Sequence, residues 1–311
     1  MGSESLIPAF VNPGSGNFEK AREALQPSGR FDVREVPGAD LERDIRKAVE
    51  QGAKRILIAG GDGSVGTAAT LIAGTECELA VLPAGTLNHF AKDAGIPVEF
   101  TEAVEVASGT VTTTADVGRV GDRAFLNTSS IGVYVTFVRV RDRLERSLPY
   151  QIASVLASIR AFSLLPTIRV ELEVEGKAHE LRTPLIFIGV GERETQIPTF
   201  GSRVKGGKRQ LHVIAVRGRR RARLLATALA AVARGVESAA HNTELDSYLV
   251  DRCTLYLRRR RAVVAVDGET VTLSTPLEYR IERDALRIVA PAPAAARKEL
   301  PPGTGKVAPT R

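Results

Sequence analysis

Four short apolar runs in the N-terminal third of the chain each end at a turn cluster and are followed by a helical pattern. Leu6–Val11 meets Asn12-Pro13-Gly14-Ser15-Gly16, and Phe18–Leu25 reads as a helix. Phe31–Val36 precedes a helix over Asp40–Glu50, with Leu41, Ile45, Ala48 and Val49 on one face. Arg55–Ala59 runs into Gly60-Gly61-Asp62-Gly63, and Ser64–Ala73 reads as a helix. Leu79–Leu82 is followed by Pro83-Ala84-Gly85-Thr86 and a short helix from about Asn88. Strands alternating with helices predict a parallel, doubly wound α/β sheet. Ligands of such sheets bind beyond the carboxyl ends of the strands, which is where the glycine-rich loops fall.

After about Asp116 the rhythm changes. Val117–Val120 and Arg123–Thr128 flank Gly121-Asp122, a two-residue hairpin signal. Helical patterns follow over Val133–Arg146 and Gln151–Leu164. Strand-like runs then come at Thr167–Glu175, Leu185–Val190, Leu211–Val216, Thr254–Leu257, Val263–Val266, Leu277–Ile281 and Leu286–Val289, with one helix over Arg219–Arg234. This predicts a mainly β, sandwich-like C-terminal domain. The expected division is 1–117, 118–290 and a Pro/Ala-rich, disordered tail over 291–311. A length of 311 residues suits two domains.

Cys77 and Cys253 are the only cysteines, too few for a disulfide framework or a four-cysteine zinc site; a reducing, cytoplasmic setting is expected. No apolar stretch reaches the roughly 20 residues that cross a bilayer, and Met1–Ser5 lacks the basic region of a secretory signal. The 43 Lys+Arg against 36 Asp+Glu give a net charge of +7, which favours anionic partners.

Gly60-Gly61-Asp62-Gly63-Ser64 is the strongest local signal. Glycines let backbone approach a ligand, N–H groups at a helix start hold phosphate, and Ser64 is placed to cap that helix or touch phosphate. Asp62 beside phosphate calls for a bridging metal such as Mg²⁺ or for a proton to handle. Without a ligand the same residues make a tight βα turn. Gly61, Gly63 and Gly66 also satisfy GxGxxG, but they follow the third strand and no acid ends the next one, which argues against a dinucleotide-binding dehydrogenase. A Walker A motif is absent. Pro83–Ala91 and Asn12–Gly16, each alone, read as capped or generic turns. His179, His212 and His241 have no metal-ligand spacing.

Together the three loops resemble the diacylglycerol kinase catalytic-domain family, which includes sphingosine kinases and bacterial lipid kinases. Its NPxSG-like, GGDGT/S and PxGTxNxxA loops are matched in order by Asn12-Pro13-Ser15-Gly16, Gly60–Ser64 and Pro83-Gly85-Thr86-Asn88-Ala91. Asp116-Val117-Gly118, Phe125, Asn127 and Gly132 match its next segment. The resemblance is specific from about Leu6 to Gly132 and looser beyond. It implies a nucleotide-binding α/β domain, a β-sandwich lipid-substrate domain, and transfer of the ATP γ-phosphate to a hydroxyl of diacylglycerol or a related lipid. It implies that Asn12, Gly60, Gly61, Asp62, Gly63, Ser64, Val65, Thr86 and Asn88 hold ATP, and that Asp62 places Mg²⁺. Asp267-Gly268-Glu269 matches the late acidic motif, with Glu269 by preference, otherwise Asp267, accepting the proton of the attacking hydroxyl. Read alone, Asp267-Gly268 is a hairpin turn.

The sequence departs from the family at three places. His89 stands where Asp is common, and Val36 lies near a usual nucleotide-contacting Thr. Lys205–Leu211 carries no carboxylate where a structural metal loop is usually acidic, so no structural Mg²⁺ is expected there. Arg217, Arg219, Arg220, Arg221 and Arg223 before an apolar helical stripe, Arg258 to Arg261, and Arg139, Arg141, Arg143 and Arg146 are either solvated or suited to transient contact with an anionic membrane surface at the inner face. Nucleic acid is not an expected partner, with aromatic residues at 5%. Oligomeric state is left open. The alternative readings are a NAD-kinase-like enzyme and a regulatory protein that binds nucleotide or anionic lipid without catalysis.

Overall fold

The computed structural model describes residues 6–144, 147–148, 152–153, 156–157, 160, 167–195, 202–216 and 245–291. The N-terminal region begins β1 (Ile7–Val11), α1 (Phe18–Leu25), β2 (Phe31–Glu35) and α2 (Leu41–Glu50). It continues β3 (Arg55–Gly60), α3 (Asp62–Ile72), β4 (Glu78–Pro83), α4 (His89–Asp93) and α5 (Phe100–Ser108). The parallel strands stand in the order β2-β1-β3-β4. Helices cover both faces, so β3 and β4 are buried on both sides and read as continuous apolar runs. On one face Leu41, Ile45 and Ala48 of α2 join Val65, Ala68, Ala69 and Ile72 of α3 over Ile56 and Ile58. On the other, Ala21 and Leu25 of α1 meet Ala103 and Ala107 of α5 over Leu57 and Ala59. The spacing of Leu41, Ile45 and Ala48 is that of one helical face, and the charged residues between them carry the opposite one.

The C-terminal region is rich in antiparallel sheet. It comprises β5 (Thr112–Val120), β6 (Arg123–Phe125), β7 (Thr128–Gly132), α6 (Val133–Leu144), β8 (Ile168–Val174), β9 (Lys177–Thr183), β10 (Leu185–Val190) and β11 (Leu211–Val216). It ends with β12 (Leu245–Val250), β13 (Arg252–Leu257), β14 (Arg261–Val266), β15 (Glu269–Ser274) and β16 (Leu277–Val289). One sheet runs β12-β11-β10-β7-β14-β15. It packs Ile131, Ile186, Ile188, Val213 and Val264 against Leu172, Leu255, Leu277 and Tyr279 of the other sheet, giving a two-layer core.

The two runs expected at Leu277–Ile281 and Leu286–Val289 are one strand. Its register shifts between Glu282 and Leu286, and Asp284 takes a φ of 53°. Before the shift β16 pairs with β13; after it Ile288 pairs with Leu79 of β4, so the last strand extends the N-terminal sheet. The single run expected at Arg123–Thr128 ends at Phe125, and Thr128 opens β7 of the other sheet; α5, β7, β9, β12 and β15 have no counterpart among the expected elements. β9 and β15 alternate half-exposed residues, which leaves their apolar pattern weak. The helix expected over Arg219–Arg234, most of that over Gln151–Leu164, His241 and the tail beyond 291 lie outside the described residues. Among the described residues no helix is long and apolar enough to cross a membrane.

Candidate active site

The three N-terminal loops close on one another. Asn12 Nδ2 donates to Ser64 Oγ at 3.0 Å, joining the first loop to the second, while its Oδ1 accepts the Gly14 N–H at 2.9 Å. Asn88 holds the third loop: its Oδ1 accepts the Gly85 N–H, and its Nδ2 donates to Gly85 O at 2.8 Å and to Pro83 O at 3.3 Å. Its own φ of 51° suits asparagine, which tolerates the left-handed region. Gly61 and Gly85 bring the second and third loops together, since a Cβ on Gly85 would sit 2.4 Å from Gly61 Cα. Here the missing side chain serves loop-to-loop packing.

Two details revise the expected phosphate cradle. Gly61 is the N-cap of α3, which starts at Asp62, so Ser64 lies in the first turn, buried beneath Asn12, and does not cap the helix. The Val65 N–H already donates to Gly61 O at 3.1 Å, and its side chain is in the core, so Val65 has no N–H to offer a phosphate. Asp62, Gly63 and Ser64 are in the first turn, whose N–H groups have no partner within the helix. Thr86 is exposed at the mouth of the loops. Val36 is buried in the core, and its N–H donates to Val11 O at 2.9 Å.

Asp62 reaches the third loop. Its Oδ2 accepts the His89 N–H at 3.1 Å and its Oδ1 the Phe90 N–H at 3.0 Å, at the start of α4. A carboxylate oxygen has more than one acceptor direction, so both oxygens keep capacity for a further partner.

Asp267 is the counterpart from the C-terminal region. Asp267 and Gly268 form the two-residue turn between β14 and β15, with φ of 46° and 88°. Positive φ at both central residues is the type I′ requirement that Asp-Gly meets. The carboxylate turns inward: Oδ2 accepts the Leu126 N–H at 2.7 Å, and Oδ1 accepts those of Asn127 at 2.9 Å and Thr128 at 2.8 Å. Burial raises this carboxyl, the three N–H bonds oppose the rise, the charge of Asp62 adds to it, and the net value is about 6.

Asp62 and Asp267 line one cavity of ≈ 540 Å³ between the two regions, together with Leu87, His89, Asn127 and Tyr134. Leu185 and Phe187 of β10 supply more of its apolar wall. Asn127 is buried, and its Oδ1 has no hydrogen-bond partner among the described residues. Glu269 is not among the residues lining the cavity. Its carboxylate lies against Gly63, where a Cβ would come 1.8 Å from Oε1, and Arg123 stands 3.8 Å away.

The basic loop at 205–211 is tied down by ion pairs. Arg209 Nε donates to Asp116 Oδ2 at 2.9 Å, and its Nη2 lies 2.7 Å from Asp284 Oδ1. Burial alone would raise the Asp116 carboxyl, but the Arg209 and Asp284 N–H bonds and the Arg209 charge outweigh it and hold it below its usual value. A guanidinium thus supplies positive charge beside Asp116. Among the described residues no group of three or more His, Cys, Asp or Glu is arranged to hold a metal ion.

An α/β region with three interlocked loops, an antiparallel partner region and two aspartates in the cavity between them defines a two-region, cleft-bearing fold. Residues 7–120 match the diacylglycerol kinase catalytic domain. A protein of Pseudomonas putida described as a probable lipid kinase YegS-like is 33% identical over 156 residues, 49% of this chain and 51% of that protein. A diacylglycerol kinase of Mycobacterium tuberculosis is 33% identical over 126 residues, 37% of this chain and 40% of that one. The chain spans about half the length of the first of these relatives and less of the second. A crystal structure of a diacylglycerol kinase from Bacillus anthracis str. Sterne superposes with a TM-score of 0.61 at 16% identity. A further crystal structure from that organism reaches 0.69 at 19%; each likeness covers 92% of this chain and 97% of the other. The likeness to these structures is one of fold. The resemblance carried by the loops therefore holds: residues 7–120 are similar to the diacylglycerol kinase catalytic domain.

Proposed function

We propose that this protein is an ATP-dependent lipid kinase that transfers the γ-phosphate to a hydroxyl of diacylglycerol or a related lipid. The observation that carries the reading is the shared cavity, where Asp62 from the nucleotide-side loop and Asp267 from the opposite hairpin face one space with an apolar wall. Leu87, Tyr134, Leu185 and Phe187 suit an acyl chain, and the family match of residues 7–120 supports ATP as phosphate donor.

Asp267 is the proposed general base, in place of the sequence preference for Glu269, because Asp267 lines the cavity and Glu269 lies against α3. With its carboxyl at about 6, Asp267 is ionised at neutral pH yet basic enough to take a proton. It accepts the hydroxyl proton as the lipid oxygen bonds to the γ-phosphorus and the bond to the ADP oxygen breaks. Asp62 fits a Mg²⁺ held through one carboxylate and substrate phosphates, since its backbone bonds leave acceptor capacity toward the cavity. Such an ion would neutralise charge on the transferred group.

The test is transfer of labelled phosphate from Mg-ATP to dioctanoylglycerol, sphingosine and NAD, with Asp267→Asn and Asp62→Ala alongside. Labelled lipid from the natural protein, lost in both variants, is expected. Label on NAD alone would move the protein to the nucleotide kinases, and unchanged turnover by Asp267→Asn would remove the proposed base.

A further inference from the structure

The segment that Asp267 grips by its N–H groups is held from the other side by its carbonyls. Arg193 Nη2 donates to Asn127 O at 2.8 Å and to Val190 O at 2.7 Å. Arg203 Nη2 donates to Leu126 O at 3.2 Å, and its Nε stands 3.5 Å from Asp93 Oδ2. Both arginines are among the residues lining the cavity that holds Asp62 and Asp267. One peptide segment, 126–128, therefore fixes two cations and the proposed base relative to each other.

The arrangement is built into β10 and β11. Arg193 is only 5% exposed. Gly189 makes room for its stem, since a Cβ there would lie 2.5 Å from Arg193 Cγ. The Arg193 N–H donates to His212 Nδ1 at 2.9 Å, and His212 Nε2 is bonded to Ser247 Oγ at 2.7 Å, so the main chain at Arg193 is anchored to β12. Burial first and then the nearby Arg203 charge lower the Arg193 guanidinium, Asp93 and Asp267 oppose the shift, and the net value is about 10. The Arg193 guanidinium stays charged at neutral pH. Two cations held together on one cavity wall, with stems and backbone fixed, present planar N–H forks to an anion of matching geometry. Arg141, whose Nη2 donates to Gly268 O at 3.3 Å, adds a third guanidinium to the lining.

We propose that Arg193 and Arg203 form a phosphate-binding site on the C-terminal wall of the cavity. Which phosphate it takes rests on the kinase reading: the phosphoryl group in transfer, or a phosphate already present in the headgroup of the acceptor lipid. That the site binds phosphate does not rest on it.

The test needs no turnover. Inorganic pyrophosphate is titrated calorimetrically into the full chain, without nucleotide or lipid. Arg203→Gln is expected to weaken binding at least tenfold, and Arg203→Lys, which keeps the charge but loses the planar fork, to weaken it less than Arg203→Gln does. Pyrophosphate held only by the N-terminal loops would bind Arg203→Gln like the natural protein, and that result overturns the site. Should Arg203→Gln not fold, Asp93→Asn takes its place: releasing Arg203 from its ion pair is expected to tighten binding, and unchanged or weaker binding overturns the proposal. Kinetics then separate the two sources. A raised KM for dioctanoylphosphatidylglycerol with dioctanoylglycerol unaffected supports a headgroup phosphate, and an equal fall in kcat with both acceptors supports the phosphoryl group in transfer. No transfer by the natural protein, beside Arg203-dependent pyrophosphate binding, would sink the kinase reading and leave the site standing.

Discussion

Two aspartates at two glycine turns face the same cavity, and both accept backbone N–H groups from a different segment. Asp62 stands at the start of a helix in the parallel region and accepts two, from His89 and Phe90. Asp267 stands at a hairpin tip in the antiparallel region and accepts three, from Leu126, Asn127 and Thr128. The chemistry is alike; the surroundings are not. The hairpin pushes its carboxylate beneath the 126–128 segment, where burial raises it to about 6. The helix turn leaves Asp62 half-buried at the cavity edge, open to a cation. On the proposed reading one residue type would serve two tasks, a proton at Asp267 and a metal at Asp62, and what separates them is how deeply each carboxylate is set.

The largest effect expected from breaking this comparison is Asp267→Asn. Losing a general base costs about 10³-fold in kcat, with lipid and ATP KM values little changed, as steady-state assays would read. Asp62→Asn is expected to lower kcat about 100-fold and, by weakening the cap of α4, to cost about 1 kcal/mol in urea unfolding. An Asp62 variant with full activity would leave the metal role without support.

A second contrast separates the glycines. Gly85→Ala would drive a Cβ into the Gly61 backbone, which cannot swing aside, and is expected to cost about 3 kcal/mol. Gly63→Ala meets only the end of the half-exposed Glu269 side chain, which can change rotamer, so a loss under about 1 kcal/mol is expected. Equal losses in thermal melts would show that Glu269 is as fixed as the loop backbone.

The pH dependence sharpens the role of Asp267. Its carboxyl rises from 3.8 to about 6 on folding, so the unfolded chain gives up this proton first. The stability it contributes is fully present below about pH 4 and lost as pH rises through about 6, a swing of about 3 kcal/mol. The difference in urea midpoint between the natural protein and Asp267→Asn across that range isolates it. Activity runs the other way, and log kcat/KM is expected to fall with unit slope below about pH 6.

Much of the N-terminal fold was legible because apolar runs buried on both faces and helices such as Leu41–Glu50 announce their periods locally. The three loops were legible for the same reason: each is a contiguous stretch at a strand end. α5 went unread, although Ala103, Val104 and Ala107 form its buried face, because Phe100–Ser108 lies between turn-rich segments with few large apolar residues. Arg193 and Arg203 were not singled out, because nothing local distinguishes them from the surface arginines around them. Gly189, two residues before another glycine and four before Arg193, was the one available hint.

The sequence by itself determined the alternating elements, the glycine turns and the pair of acidic motifs, since these depend on neighbours along the chain. Only the tertiary structure decided that Asp267 and not Glu269 enters the cavity. It also decided that Ser64 serves Asn12 and not a helix cap, and that two arginines share a wall with the proposed base. Those outcomes depend on which backbone groups lie opposite each side chain once β16 has carried the C-terminal region back onto β4. Such pairings join residues far apart in the chain, 52 positions for Asn12 and Ser64 and 141 for Leu126 and Asp267, and local pattern carries no record of them.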